Sequence, residues 1–173
     1  EAAVHTALDR GAHDVVIYGG SYGGAIATQF LAHSQLAERV SGLVLDAPEL
    51  SVPATLEHNA RERHIPAVVT WMARWMCNWR TGTDVTRIDV TRYPPRVRPP
   101  TLVLQGSADE AHPAATARQL ANDGPRLGWP IRYEEFPGAG HSEAWNVEPD
   151  RYEAVVSDFL AGITDQAPDR PGH

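Results

Sequence analysis

The stretch from Asp14 to Ala25 constrains the fold more than any other. A short apolar run, Val15-Val16-Ile17-Tyr18, meets Gly19-Gly20-Ser21-Tyr22-Gly23-Gly24 and continues into helix-forming residues. The run lacks polar alternation, which predicts a parallel strand buried on both faces. Glycines on either side of Ser21 predict a tight turn that holds the serine above the sheet on a strained backbone, the small residues sparing strand and helix a collision. Two other glycine turns between strand and helix bind phosphates, and neither fits. A dinucleotide fingerprint begun at Gly19 needs glycine where Ser21 stands, and a phosphate loop ends in Gly-Lys-Ser or Gly-Lys-Thr, whereas this chain has no lysine.

Composition narrows the class. The 173 residues suffice for one domain with a sizeable core, and a formal net charge of −7 with scattered arginines leaves no footprint for nucleic acid. Cys77 is the lone cysteine, so there is no internal disulfide framework. No apolar run approaches the roughly 20 residues of a membrane span, and no signal peptide is visible. The chain opens on Glu1 rather than methionine, so an upstream leader or anchor stays open and the cytoplasm is only the default compartment.

In chain order, Ala3, Val4, Ala7 and Leu8 mark one face of an opening helix that stops at Gly11. After the serine turn, Ile26, Ala27, Phe30 and Leu31 recur at helical spacing and are expected to press the next helix onto the sheet. Val40 to Leu45 reads as a second buried strand ending at Asp46-Ala47-Pro48, which completes a parallel crossover unit. Residues 50–98 contain no sheet strand and read as a helical, cap-like insertion. Within it Trp71, Trp75 and Trp79 lie four apart on one side of a helix, either covering the core or walling a substrate pocket. Thr101 to Leu104 is a third strand, and Asp109 follows its carboxyl end, where open parallel sheets place their chemistry. Pro113 opens a helix through about Ala121, and Ile131 to Phe136 is an edge strand leading to Gly138-Ala139-Gly140-His141. A last helix from Pro149 to Ile163 closes a domain of residues 1–164, with 165–173 expected to be a disordered tail.

Ser21, Asp109 and His141 therefore each follow a separate predicted strand. Their chemistry is complementary: a serine hydroxyl is a poor nucleophile until an imidazole takes its proton, and a carboxylate fixes the imidazole tautomer and stabilises the imidazolium. The Tyr22 backbone N–H, at a helix N-terminus, is the expected donor to an oxyanion. Asp46 also follows a strand and is the alternative acid, but Asp46-Ala47-Pro48 more often caps or turns the chain, so Asp109 is the favoured acid. His112 reads as a plain loop histidine, and His5, His13, His33, His58 and His64 as surface residues. No histidine pair has the helical spacing of a zinc protease, so no metal is expected.

The order serine, aspartate, histidine resembles the C-terminal half of an α/β-hydrolase, from the helix before its fifth strand to its last helix. Gly106-Ser107-Ala108-Asp109 is similar to the family's acid loop and Gly140-His141 to its histidine loop. Leu45-Asp46-Ala47-Pro48 and His141 to Pro149 look most like bacterial serine hydrolases with relatives in the esterase and acyl-peptide-hydrolase groups. The resemblance implies a parallel sheet flanked by helices, a fold lacking its N-terminal strands, and no cofactor. It implies a Ser21–His141–Asp109 triad cleaving a small-molecule ester, or an amide or peptide with the same residues. It also implies that the strand at Val15 to Tyr18 is an open edge, and that a missing N-terminal segment would complete the sheet and supply a second oxyanion donor. A catalytically silent fragment or binding module is the reading from a different class.

Overall fold

The computed structural model describes residues 1–166. Four strands, β1 (Val15–Gly20), β2 (Val40–Asp46), β3 (Thr101–Gly106) and β4 (Ile131–Phe136), form an all-parallel sheet in the order β1-β2-β3-β4. Side chains alternate across it, and the alternation builds two cores. Leu43, Leu45 and Val103 point to one face, where Ala27 and Leu31 of α2 (Tyr22–His33) and Ala117 and Leu120 of α5 (Ala114–Leu127) cover them. Val44, Leu102 and Leu104 point to the other, under Tyr152 and Val155 of α7 (Pro149–Gln166). Burial on both faces is why β2 and β3 read as unbroken apolar runs.

Three expectations change. The β1 strand is not buried on both faces: Val16 and Tyr18 are 38% and 57% exposed, because β1 ends the sheet and α7 packs over β2. Ile26 does not press onto the sheet; it is 72% exposed, and the buried stripe of α2 runs instead through Gly24, Ala25, Ala27, Thr28 and Leu31. The last helix continues through Asp165 and Gln166, into the segment expected to be a tail; residues 167–173 of that tail lie outside the described residues.

Before β1 lies α1 (Ala2–Asp9) with Val4 buried, and after α2 a 3₁₀ turn at Gln35–Arg39 leads into β2. Between β2 and β3 the chain makes two α-helices and a short 3₁₀ turn at Val85–Arg87. Ser51 caps α3 (Val52–Glu62) by accepting from the Ala54 N–H at 3.3 Å, and Pro53 in the first turn needs no amide partner there. The next helix, α4 (Ala67–Thr81), ends at Gly82 in the left-handed conformation and has no buried residue. The one-turn helix α6 (Ala144–Val147) precedes α7. None of the described helices is long and apolar enough to cross a membrane.

Candidate active site

All the reactive side chains sit past the carboxyl ends of strands. Ser21 joins β1 to α2 with φ 53° and ψ −125°, a conformation that typically costs about 1–3 kcal/mol in a residue with a side chain. Neighbours hold it there: its N–H donates to the Asp46 carbonyl, and its own carbonyl accepts from the Gly24 and Glu49 N–H groups, all at 2.9 Å. Gly19 makes the turn feasible, since a Cβ there would lie 2.8 Å from the Gly23 carbonyl oxygen. Tyr22 is the first residue of α2, so its N–H has no intrahelical acceptor and faces outward from the positive end of the helix.

The structure brings Ser21, His141 and Asp109 together. His141 Nε2 is 3.0 Å from Ser21 Oγ, and His141 Nδ1 is 2.9 Å from Asp109 Oδ2. A carboxylate only accepts, so Nδ1 carries the hydrogen and Nε2 is left to accept from the serine hydroxyl. Three more donors fix Asp109: the Gln105 amide at 2.9 Å on Oδ2, and the Ala111 and His112 N–H groups at 2.9 Å on Oδ1. The close approach of the two loops depends on Gly106, where a Cβ would strike the Ala139 and Gly140 carbonyls. The Ala108 N–H then donates to Ala139 at 3.0 Å and the Gly138 N–H to Ser107 Oγ at 2.9 Å. An imidazole so held can take a proton from the hydroxyl in line with it.

Around Ser21 and His141 opens a cavity of about 1000 Å³ whose far wall is α3, through Thr55, His58, Asn59 and Glu62. The profile of the prolyl oligopeptidase family matches residues 4–165. The chain belongs to that family. Among solved structures, this prolyl oligopeptidase family member is similar to a thermophilic esterase from Thermogutta terrifontis with butyrate bound, at TM-score 0.70 and 20% identity over 98% of this chain and 66% of that one. A Pyrococcus furiosus esterase matches at TM-score 0.67 and 17% identity, over 92% of this chain and 59% of the other. An α/β-hydrolase enzyme from the metagenome of lagoon sediments at Mar Chica, Morocco, matches at TM-score 0.60 and 18% identity, over 93% and 67%. These likenesses establish a partial α/β-hydrolase fold, and the chain spans 59% to 67% of the length of those three proteins. No curated protein matches the sequence.

Several sequence readings of this prolyl oligopeptidase family member need correction. Asp46 does not compete for His141; its Oδ2 accepts from the hydroxyls of Tyr18 at 2.7 Å and Tyr152 at 2.8 Å. Desolvation pushes Tyr18 up to about 12 and Tyr152 higher still, so both remain donors. Trp71, Trp75 and Trp79 neither cover the core nor wall the serine cavity. They are 58%, 60% and 74% exposed, with Trp75 and Trp79 stacked at 6.2 Å, because the opposite side of α4, at Ala73 and Cys77, is the one turned toward α2 and α3. That side borders a second, apolar cavity of about 640 Å³, with Ala25, Ile26 and Leu56; Tyr22 lines both cavities. His58 is not simply a surface residue, since it lines the serine cavity, and His112 is not a plain loop residue but is buried beside His141.

Sequence reading missed Gln105 and Glu49, both 1% exposed. The available signal was a polar residue at the carboxyl end of an apolar strand or just past it, where burial needs a partner. Asp109, His112 and His141 carry ligand-type atoms within 4.8 Å of one another. Their side chains are already directed at protein partners, which an ion would have to displace.

Proposed function

We propose that this chain is a serine hydrolase that cleaves carboxylic esters through an acyl-enzyme intermediate. The observation that carries the reading is the continuous line from the Ser21 hydroxyl through His141 to the four-donor Asp109 carboxylate. Ser21 Oγ attacks the carbonyl carbon as its proton passes to His141 Nε2. The developing oxyanion turns toward the Tyr22 N–H. His141 returns the proton to the departing alkoxide, and water repeats the sequence to release the acid. Every group this reaction uses is a side chain or backbone N–H, so no cofactor is invoked.

The substrate is a small ester, with α3 and α4 acting as the cap over it: α3 supplies the polar wall of the cavity, and the apolar cavity shared through Tyr22 suits the hydrocarbon part. The prolyl oligopeptidase family match favours a second reading, cleavage of a peptide or amide by the same residues. We further propose that a segment alongside the free edge of β1 completes the sheet and contributes a second oxyanion donor. The half-exposed apolar face of β1 and the partial coverage of the three solved structures support this.

A fluorophosphonate probe on the wild type and Ser21→Ala tests the reading directly. Labelling that depends on Ser21, with matched ester turned over faster than amide, is the expected result. Amide turnover at least equal to ester turnover would favour the peptidase, and no Ser21-dependent labelling would leave a silent or binding module.

A further inference from the structure

Behind the Asp109–His141 pair stands a second one. His112 is 6% exposed and Glu49 1% exposed, and the His112 ring meets the His141 ring edge-on at 4.7 Å. His112 Nδ1 lies 3.0 Å from the Ala47 carbonyl oxygen, which can only accept, so Nδ1 carries a hydrogen. Ala47 turns that carbonyl inward from a backbone with φ 45°. The other ring nitrogen, Nε2, faces Glu49 Oε2 at 3.5 Å. Glu49 Oε1 accepts from the Ser51 N–H at 2.9 Å and from Thr55 Oγ1 at 3.0 Å, whereas Oε2 takes no hydrogen bond.

Without a hydrogen between Nε2 and Oε2, a nitrogen lone pair would oppose a buried carboxylate, an arrangement that burial penalises heavily. We propose that Glu49 and His112 carry one proton between them, as a buried pair of zero net charge behind His141, and serve as its positioning residues. The pair keeps zero net charge while His141 changes its own. Burial pushes the Glu49 carboxyl above the usual carboxylate range, only partly offset by His112, in keeping with a retained proton.

The groups facing the pair come from every surrounding element. They are the Tyr22 ring at 5.8 Å from His112, Ser51 and Thr55 at the start of α3, Asp89 in the return to β3, Asp109 through the His112 N–H, and His141. His112 thus bridges the serine turn, the end of β2 and the two loops that carry Asp109 and His141.

The inference takes from the proposed reaction only that His141 is the base, and imidazole nitrogen NMR on the whole chain tests it without substrate. At neutral pH His112 should show a hydrogen on Nδ1, and its Nε2 shift should report a proton held against Glu49. In Glu49→Ala the His112 Nε2 resonance should move while that of Nδ1 stays. The acid limb of kcat/KM should then move to lower pH by about half a unit or more, because an uncompensated imidazolium against His141 disfavours charging it. Glu49→Gln restores a donor to Nε2 and should leave that limb where the wild type has it. A wild-type His112 Nε2 shift with no sign of a proton held against Glu49, or a Glu49→Ala variant with both the Nε2 resonance and the acid limb unmoved, would overturn the assignment. Should Glu49→Ala fail to fold, the wild-type spectrum decides alone. A chain that turns over no ester still yields that spectrum, so the two readings fail separately.

Discussion

Replacing Gln105 by leucine isolates the part of the site that lies behind the acid. The Gln105 amide donates to Asp109 Oδ2 at 2.9 Å and to the His112 carbonyl at 3.2 Å, from a position with 1% exposure, so water does not substitute for either bond. Leucine has a similar volume and neither donor. The bond to the carboxylate contributes about 1.5–3 kcal/mol and the neutral one about 0.5–1.5 kcal/mol, a loss of about 2–4.5 kcal/mol in all. In a domain of this size that lowers Tm by about 4–18 °C. If the carboxylate bond acts mainly by holding His141 in register during proton transfer, its share corresponds to a fall in kcat/KM of about 10- to 150-fold, with KM little changed. Calorimetry and ester kinetics on Gln105→Leu, Asp109→Asn and the double variant read these effects. Asp109→Asn alone should cost about 10⁴-fold, and adding Gln105→Leu to it should cost less than about 3-fold more, since the group being held has already lost its function. Full activity in Gln105→Leu at a lowered Tm would refute the reasoning, and so would fully additive losses in the double variant.

Three further outcomes follow from the geometry. Tyr18 is raised to about 12 from an ordinary 10.0, so the stability carried by its protonated hydroxyl is whole below about pH 10 and disappears as pH rises through about 12. Denaturant midpoints of wild type and Tyr18→Phe across that window should converge at high pH, and parallel curves would contradict the Asp46 cluster. Changing Trp71, Trp75 and Trp79 together to serine should leave ester kcat/KM within about 3-fold and stability within about 1 kcal/mol, as exposed side chains do; a tenfold rise in KM would return them to the substrate pocket. Gly19→Ala puts a methyl 2.8 Å from the Gly23 carbonyl oxygen, so the serine turn must shift; probe labelling of Ser21 should drop about 100-fold, and unaltered labelling would show that the turn tolerates the shift.

Much of the architecture was legible because period and burial coincide. β2 and β3 are covered on both faces, so their apolar runs were unambiguous. At β1 the same kind of run misled, since an unpaired edge leaves Val16 and Tyr18 uncovered without changing residue type. Helix α5 was read as ending near Ala121, yet it runs past Gly124 and Pro125 to Leu127, where packing against Trp129 and Ile131 outweighs local propensity. The tryptophans were placed correctly on one side of a helix, but periodicity does not say which side meets the protein.

What the chain's residues settle unaided is local: a serine on a glycine-flanked turn, and a carboxylate and an imidazole each past the end of a strand, because strand runs and turn chemistry are short-range properties. Which aspartate meets His141 is not local. Asp46 and Asp109 both follow buried strands, and only the folded sheet gives one to Tyr18 and Tyr152 and the other to His141. The pairing of His112 with Glu49 is of the same kind. Those residues lie on different loops, and their meeting depends on strand order, on the inward carbonyl of Ala47 and on the exclusion of water, none of which is written in either residue's neighbourhood.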